Sequence, residues 1–212
     1  MRRQRQLSER LERLRKLAGA SGVTVAILVP ALIGLSIALS PWFSWTENAL
    51  SDLGAQGPGA PIFNSALMLG GCLVFLFALG LGEMLRDHLL GRLGASLLIS
   101  DGFALFAIGL FPETAGRVHS DVSVAFFVLL PFSLLPLGAA FVLTRRSRAL
   151  GLYAIGASIL ALLVWLPPWR GVAIPEALAS FPAAGWSLLV GVRMVKEARR
   201  LEPIRVRPVR SV

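Results

Sequence analysis

RDHLLGRLGASLLISDGFALFAIGLFPETAGRVHSD, residues 86–121, is the stretch that decides the fold. Arg86 and Arg92 precede an apolar run, Leu93 to Phe111, which Pro112 stops before a loop with a single basic residue, Arg117. At 1.5 Å per residue such a run nearly matches a hydrocarbon core of about 30 Å. The same unit recurs on both sides, giving spans at Val23 to Leu39, Ile62 to Leu85, Leu93 to Phe111, Val122 to Thr144, Leu150 to Leu166 and Ile174 to Val192. The segments outside these spans carry, in chain order, 7, 0, 2, 1, 3, 1 and 7 basic residues. By the positive-inside rule this alternation predicts an all-α polytopic membrane protein, a six-transmembrane-helix bundle with both termini cytoplasmic. Helices rather than strands are expected, because segments of this length satisfy their own backbone groups inside a bilayer.

Composition points the same way. The chain is 55% hydrophobic and 16% charged, with a mean hydropathy of +0.71, against roughly 45–50% apolar and 25% charged in soluble domains. The net charge of +9 is unevenly placed: the predicted cytoplasmic side holds 19 basic and 6 acidic residues, and the outer side 2 and 5. That sidedness reads as topology and contact with anionic headgroups, so membrane lipids are the expected partners and nucleic acid is not. A homo-oligomer stays open. Cys72 is the only cysteine, which excludes an intramolecular disulfide and a thiolate metal cluster.

Three regions follow: a basic amphipathic segment 1–20, a six-helix domain 21–196 and a basic tail 197–212. In the first, Leu7, Leu11, Leu14 and Leu17 recur at helical spacing between basic residues. This fits either a helix lying in the inner interface or a solvated leader that only sets topology. Ser36 and Ala38 fit a signal-peptidase pattern, but the long leader argues for retention. Ser40-Pro41, Phe111-Pro112 and Leu166-Pro167 predict helix stops at the outer surface, where Trp42, Trp45, Trp165 and Trp169 form an aromatic belt. Gly70, Gly71, Gly80, Gly82, Gly91, Gly94, Gly151, Gly156, Gly185 and Gly191 offer small surfaces for close helix approach.

Polar chemistry gathers on the outer loops. The first, PWFSWTENALSDLGAQGPGAPIFN (residues 41–64), supplies Asn48, Ser51 and Asp52; the second, FPETAGRVHSD (residues 111–121), supplies Glu113 and His119; Glu176 opens the last helix. Two readings compete. In the structural one Asn48 or Ser51 caps a turn, Asp52 accepts backbone donors and Gly54 takes a positive φ. In the functional one Asp52 faces Glu113 and His119, a set able to share a proton, hold a cation or activate water. The only other histidine, His88, falls on the cytoplasmic side, too few for a His-rich zinc site of the membrane-ceramidase kind. No cofactor is indicated. Asp101 lies nine residues beyond Arg92, about 13 Å along a helix and near mid-membrane. A charge there costs at least about 2.5–3.5 kcal/mol, so Asp101 is neutral, paired or facing water, or else packs through Ser100, Ser96 or Ser133.

Pro41 to Ser44, the run Asn48-Ala49-Leu50-Ser51-Asp52-Leu53-Gly54, Phe63-Asn64, Phe111-Pro112-Glu113, His119 and Phe126-Phe127 resemble the domain of unknown function 998 (DUF998) family of archaeal and bacterial membrane proteins. The likeness covers about the first four helices and implies a multi-helix membrane protein with no established activity. A fainter similarity to eukaryotic damage-regulated autophagy modulator proteins rests on the Ser-Asp-x-Gly run and the loop histidine.

Three functions remain in view. The first is a non-enzymatic multi-pass protein of the cell membrane that binds lipid or a partner through its outer face. The second is a small proton- or ion-coupled transporter using Asp101, which six helices would favour only as a homodimer. The third is an outer-leaflet lipid-active enzyme using Asp52, Glu113 and His119, which lacks a nucleophile-base signature.

Overall fold

The computed structural model describes residues 2–201, so most of the basic tail, residues 202–212, lies outside the described residues. Six α-helices form the body: α1 (Arg2–Ala38), α2 (Ala60–Met84), α3 (Leu89–Leu110), α4 (Arg117–Leu143), α5 (Arg148–Leu163) and α6 (Ala173–Leu201). Five are long and apolar enough to cross a membrane, whereas α5 has 16 residues and falls short of that length. The expected fifth span ran to Leu166. The helix instead ends at Leu163, before Pro167 is reached, and Trp169 Nε1 donates to the freed carbonyl of Val164 at 2.7 Å.

Each helix packs on its neighbour in sequence and α6 returns to α1, closing a ring. The chain enters and leaves on one face, here the terminal face; the loops α1–α2, α3–α4 and α5–α6 lie on the opposite, distal face. α1 runs without a break from Arg2 to Ala38, and Ala18 and Gly19 within it are buried.

Glycine pairs set three of the crossings. A Cβ on Gly19 would lie 2.8 Å from the carbonyl of Gly191, one on Gly71 2.5 Å from that of Gly102, and one on Gly138 2.7 Å from that of Gly151. Only hydrogen at these positions lets the backbones of α1 and α6, α2 and α3, and α4 and α5 approach so closely. Gly156, expected to serve the same purpose, meets nothing within 4 Å. Trp186 of α6 anchors the core: it is 1% exposed, its ring centroid lies 6.0 Å from Phe77 and 5.8 Å from Phe141, and its Nε1 donates to Leu150 O at 2.9 Å. On the terminal face Arg15 holds Glu83 through two hydrogen bonds, 2.6 and 3.1 Å, and Arg146 donates to Met84 O at 3.0 Å.

Candidate functional site

The distal face is built from three loops, of which the first and third are stitched together by backbone. Gly171 N donates to Thr46 O at 2.8 Å and Ala173 N to Asn48 O at 2.9 Å, which fixes the first loop against the start of α6. Within the first loop Asn48 Oδ1 accepts from Ser44 N at 2.8 Å while its Nδ2 donates to Asp52 Oδ2 at 2.9 Å. The same carboxylate oxygen accepts from Ala49 N at 3.0 Å. Asp52 thus accepts a backbone donor at the entry to a short 3₁₀ turn, Ser51–Gly54, whose N-cap is Leu50 with no side-chain cap bond. Two details of the capped-loop expectation are corrected. Neither Asn48 nor Ser51 caps the turn, since Asn48 spends its amide on Ser44 and Asp52. Gly54 does not take a positive φ, which falls to Gly57 at 77°. Gly54 is small because a Cβ there would strike the side chain of Asn64, whose Nδ2 donates to Gly54 O at 3.0 Å.

The second loop brings Glu113 to Asp52. Pro112 stops α3 and a 3₁₀ turn, Glu113–Ala115, projects the carboxyl so that it hydrogen-bonds that of Asp52. Two carboxyls in contact cannot both ionise cheaply, so their proton affinities separate. The hydrogen bond with Asp52, partial desolvation and the Asp52 charge push Glu113 up to about 7. For Asp52 desolvation is the largest single influence and acts upward. It is outweighed by hydrogen bonds from Glu113, Asn48 and the Ala49 N–H, and by the field of His119, leaving Asp52 below its usual value.

His119 lies in the first turn of α4 and is 6% exposed. Its Nδ1 is 2.8 Å from Phe111 O, and its Nε2 is 3.3 Å from Ser123 Oγ. A carbonyl only accepts, so Nδ1 carries a hydrogen and donates it to Phe111 O, while Nε2 pairs with the Ser123 hydroxyl. The imidazole is therefore engaged with its own helix and loop, and it hydrogen-bonds neither Asp52 nor Glu113. Glu176, in the first turn of α6, is buried and takes the Leu50 N–H at 2.6 Å, a pairing across 126 residues that no local spacing announces. No group of three or more His, Cys, Asp and Glu side chains among the described residues is placed to hold a metal ion.

Beneath this polar rim the structure opens twice. A groove of about 490 Å³ between α4, α5 and α6 has Ser51, Glu113, His119 and Glu176 at its head and Phe127, Phe132, Leu162 and Trp165 among its walls. A smaller cavity of about 140 Å³ occupies the middle of the ring, with Phe77, Asp101, Phe126 and Trp186 in its lining. Ser51, Ser123, Phe127 and Glu176 line both. Asp101 is 1% exposed and Oδ1 has no hydrogen-bond partner among the described residues. Two of the three serines expected to satisfy it are spent on backbone: Ser133 Oγ donates to Leu130 O at 2.8 Å, and Ser100 Oγ to Ser96 O at 3.4 Å.

No curated protein and no solved structure matches this chain. A family described as Protein of unknown function (DUF998) does, over residues 23–193, from the first apolar helix to the last and thus beyond the four helices the motifs alone had covered. With five helices able to cross a membrane, the chain is a multi-pass membrane protein, and it belongs to the DUF998 family.

Proposed function

We propose that the protein binds a lipid of the outer leaflet of the cell membrane, without transforming it, in the groove between α4, α5 and α6. The observation that carries this reading is the groove's polarity gradient. Glu113, His119 and Glu176 stand at its head, and its walls below are aromatic and aliphatic. Phe132 is thirteen residues along α4 from His119, about 20 Å at helical rise, a depth suited to an acyl chain. Carboxyls at the head favour a headgroup that donates hydrogen bonds, such as an ammonium or a hydroxyl, over one that only accepts. The distal face is outward in this reading, supported by the 19 to 2 distribution of basic residues.

Native mass spectrometry of the protein extracted from its membrane tests this. One phospholipid-sized adduct should survive on the parent. Val128→Trp, which fills the groove from a lipid-facing position 49% exposed, should lose it while melting normally. A bare parent, or equal occupancy in both proteins, contradicts the reading. A second reading, a lipid-active enzyme, has one observation behind it: the proton-sharing pair Asp52 and Glu113 at the groove's head. It predicts lipid cleavage that Glu113→Gln abolishes, whereas the binding reading predicts the same adduct mass in both.

A further inference from the structure

We infer that the central cavity is a second binding site, for a neutral molecule that presents one hydroxyl to Asp101 from an otherwise apolar body. The inference stands on the cavity and the carboxyl, and does not require that the outer groove hold a lipid.

Asp101 lines the cavity, and its Oδ1 is buried without a partner among the described residues. Leaving such an atom unsatisfied carries its full desolvation penalty, so an occupant that donates to it is favoured over an empty space. Ser51 and Glu176 belong to the distal end of the lining, and its remaining serines are committed. Ser123 Oγ is paired with His119 at 3.3 Å, Ser180 Oγ donates to Glu176 O at 2.7 Å, and Ser187 Oγ to Ala184 O at 2.8 Å. A buried water wants two to four polar partners and would find one at the depth of Asp101. An apolar molecule with a single hydroxyl needs one. Neutrality follows from depth: a charge in mid-membrane is costly, so a hydroxyl against a carboxylic acid is cheaper than an ion pair.

Size narrows the class further. A cavity of about 140 Å³ compares with an apolar one of roughly 150 Å³ that takes a benzene ring. Phe63, Phe77, Phe126 and Trp186 on the lining offer edge-to-face partners to such a ring. The lining shared with the outer groove, at Ser51, Ser123, Phe127 and Glu176, gives the molecule a way in and leaves room outside for a tail. A phenolic ring and the end of a chain alcohol present the same chemistry to Asp101.

The full chain in detergent is titrated with 4-fluorophenol and, separately, with 4-fluoroanisole, which has the same ring but no donor, and binding is read by ¹⁹F NMR. The phenol should bind saturably and at least about tenfold more tightly than the anisole, the value of one buried hydrogen bond. Asp101→Leu should remove that preference, and Asp101→Asn, whose amide still accepts, should keep most of it. Displacement by 1-octanol would assign chain alcohols to the site, and resistance to it a phenolic ring. Equal affinity of the parent for the two probes overturns the inference by itself, as does a preference that survives Asp101→Leu.

Discussion

Asp52 and Glu113 are the residues where the site's chemistry is most exposed to measurement. Glu113 binds its proton more tightly folded than unfolded, rising from 4.5 to about 7. Its contribution to stability is therefore complete below about 4.5 and lost as pH rises through 7. Asp52 runs the other way: its folded value lies below 3.8, so its contribution is complete above that value and lost only in stronger acid. Thermal melting should accordingly show a decline between pH 5 and 8 that Glu113→Gln flattens. The effect should not exceed about 1 kcal/mol, because water screens this half-exposed pair. Asp52→Asn should return Glu113 to the ordinary carboxylate range, seen by NMR titration, and cost about 1 kcal/mol through the weakened bond to Ala49 N–H. The grouping of Asp52 with Glu113 was legible in the sequence because proline stops place both loops at one level. The engagement of Glu176 with Leu50 was not, since it depends on how the last loop returns to the first. Trp186 also escaped notice, because a tryptophan within an apolar span carries no mark distinguishing core from lipid contact.

At the scale of the helices, small residues decide where backbones meet, and the sequence could not say which of its glycines do so. Gly191 and Gly156 offered the same local pattern, yet one faces the Gly19 carbonyl and the other open space. Gly191→Ala should push α6 from α1 and cost about 1–3 kcal/mol by overpacking. Gly156→Ala should instead be neutral or stabilise by up to about 1 kcal/mol through helix propensity. Melting of the two variants in one detergent checks both. Most helix ends were read from hydropathy within about five residues, but α1 begins at Arg2 rather than near Val23 and α6 runs to Leu201 rather than Val192, because charged turns extend both helices past their apolar runs. At α5 the early end at Leu163 is met by a bond from the Trp169 side chain to Val164 O. Hydropathy continues through Val164, Trp165 and Leu166, so no apolar count could have found that end.

Across the whole molecule the ring is clasped at opposite faces by different means. The first and third distal loops are joined by backbone bonds, the terminal face by the Arg15–Glu83 pair, whose side chains are 34% and 10% exposed. Glu83→Gln should cost about 1–3 kcal/mol, the value of a charged hydrogen-bonded pair withdrawn from water, and its effect should persist in high salt. A groove that takes a lipid from the outer leaflet requires the face bearing Asp52, Glu113 and Glu176 to point out of the cell, and the charge pattern is what supports that orientation. The most direct measurement is labelling of single cysteines in intact cells with a membrane-impermeant maleimide, in a Cys72→Ala background. Thr114→Cys, on the exposed second loop, should be modified, while Arg148→Cys, exposed at the start of α5 on the terminal face, should react only after the cells are opened. Modification of Arg148→Cys from outside, with Thr114→Cys protected, would contradict the account.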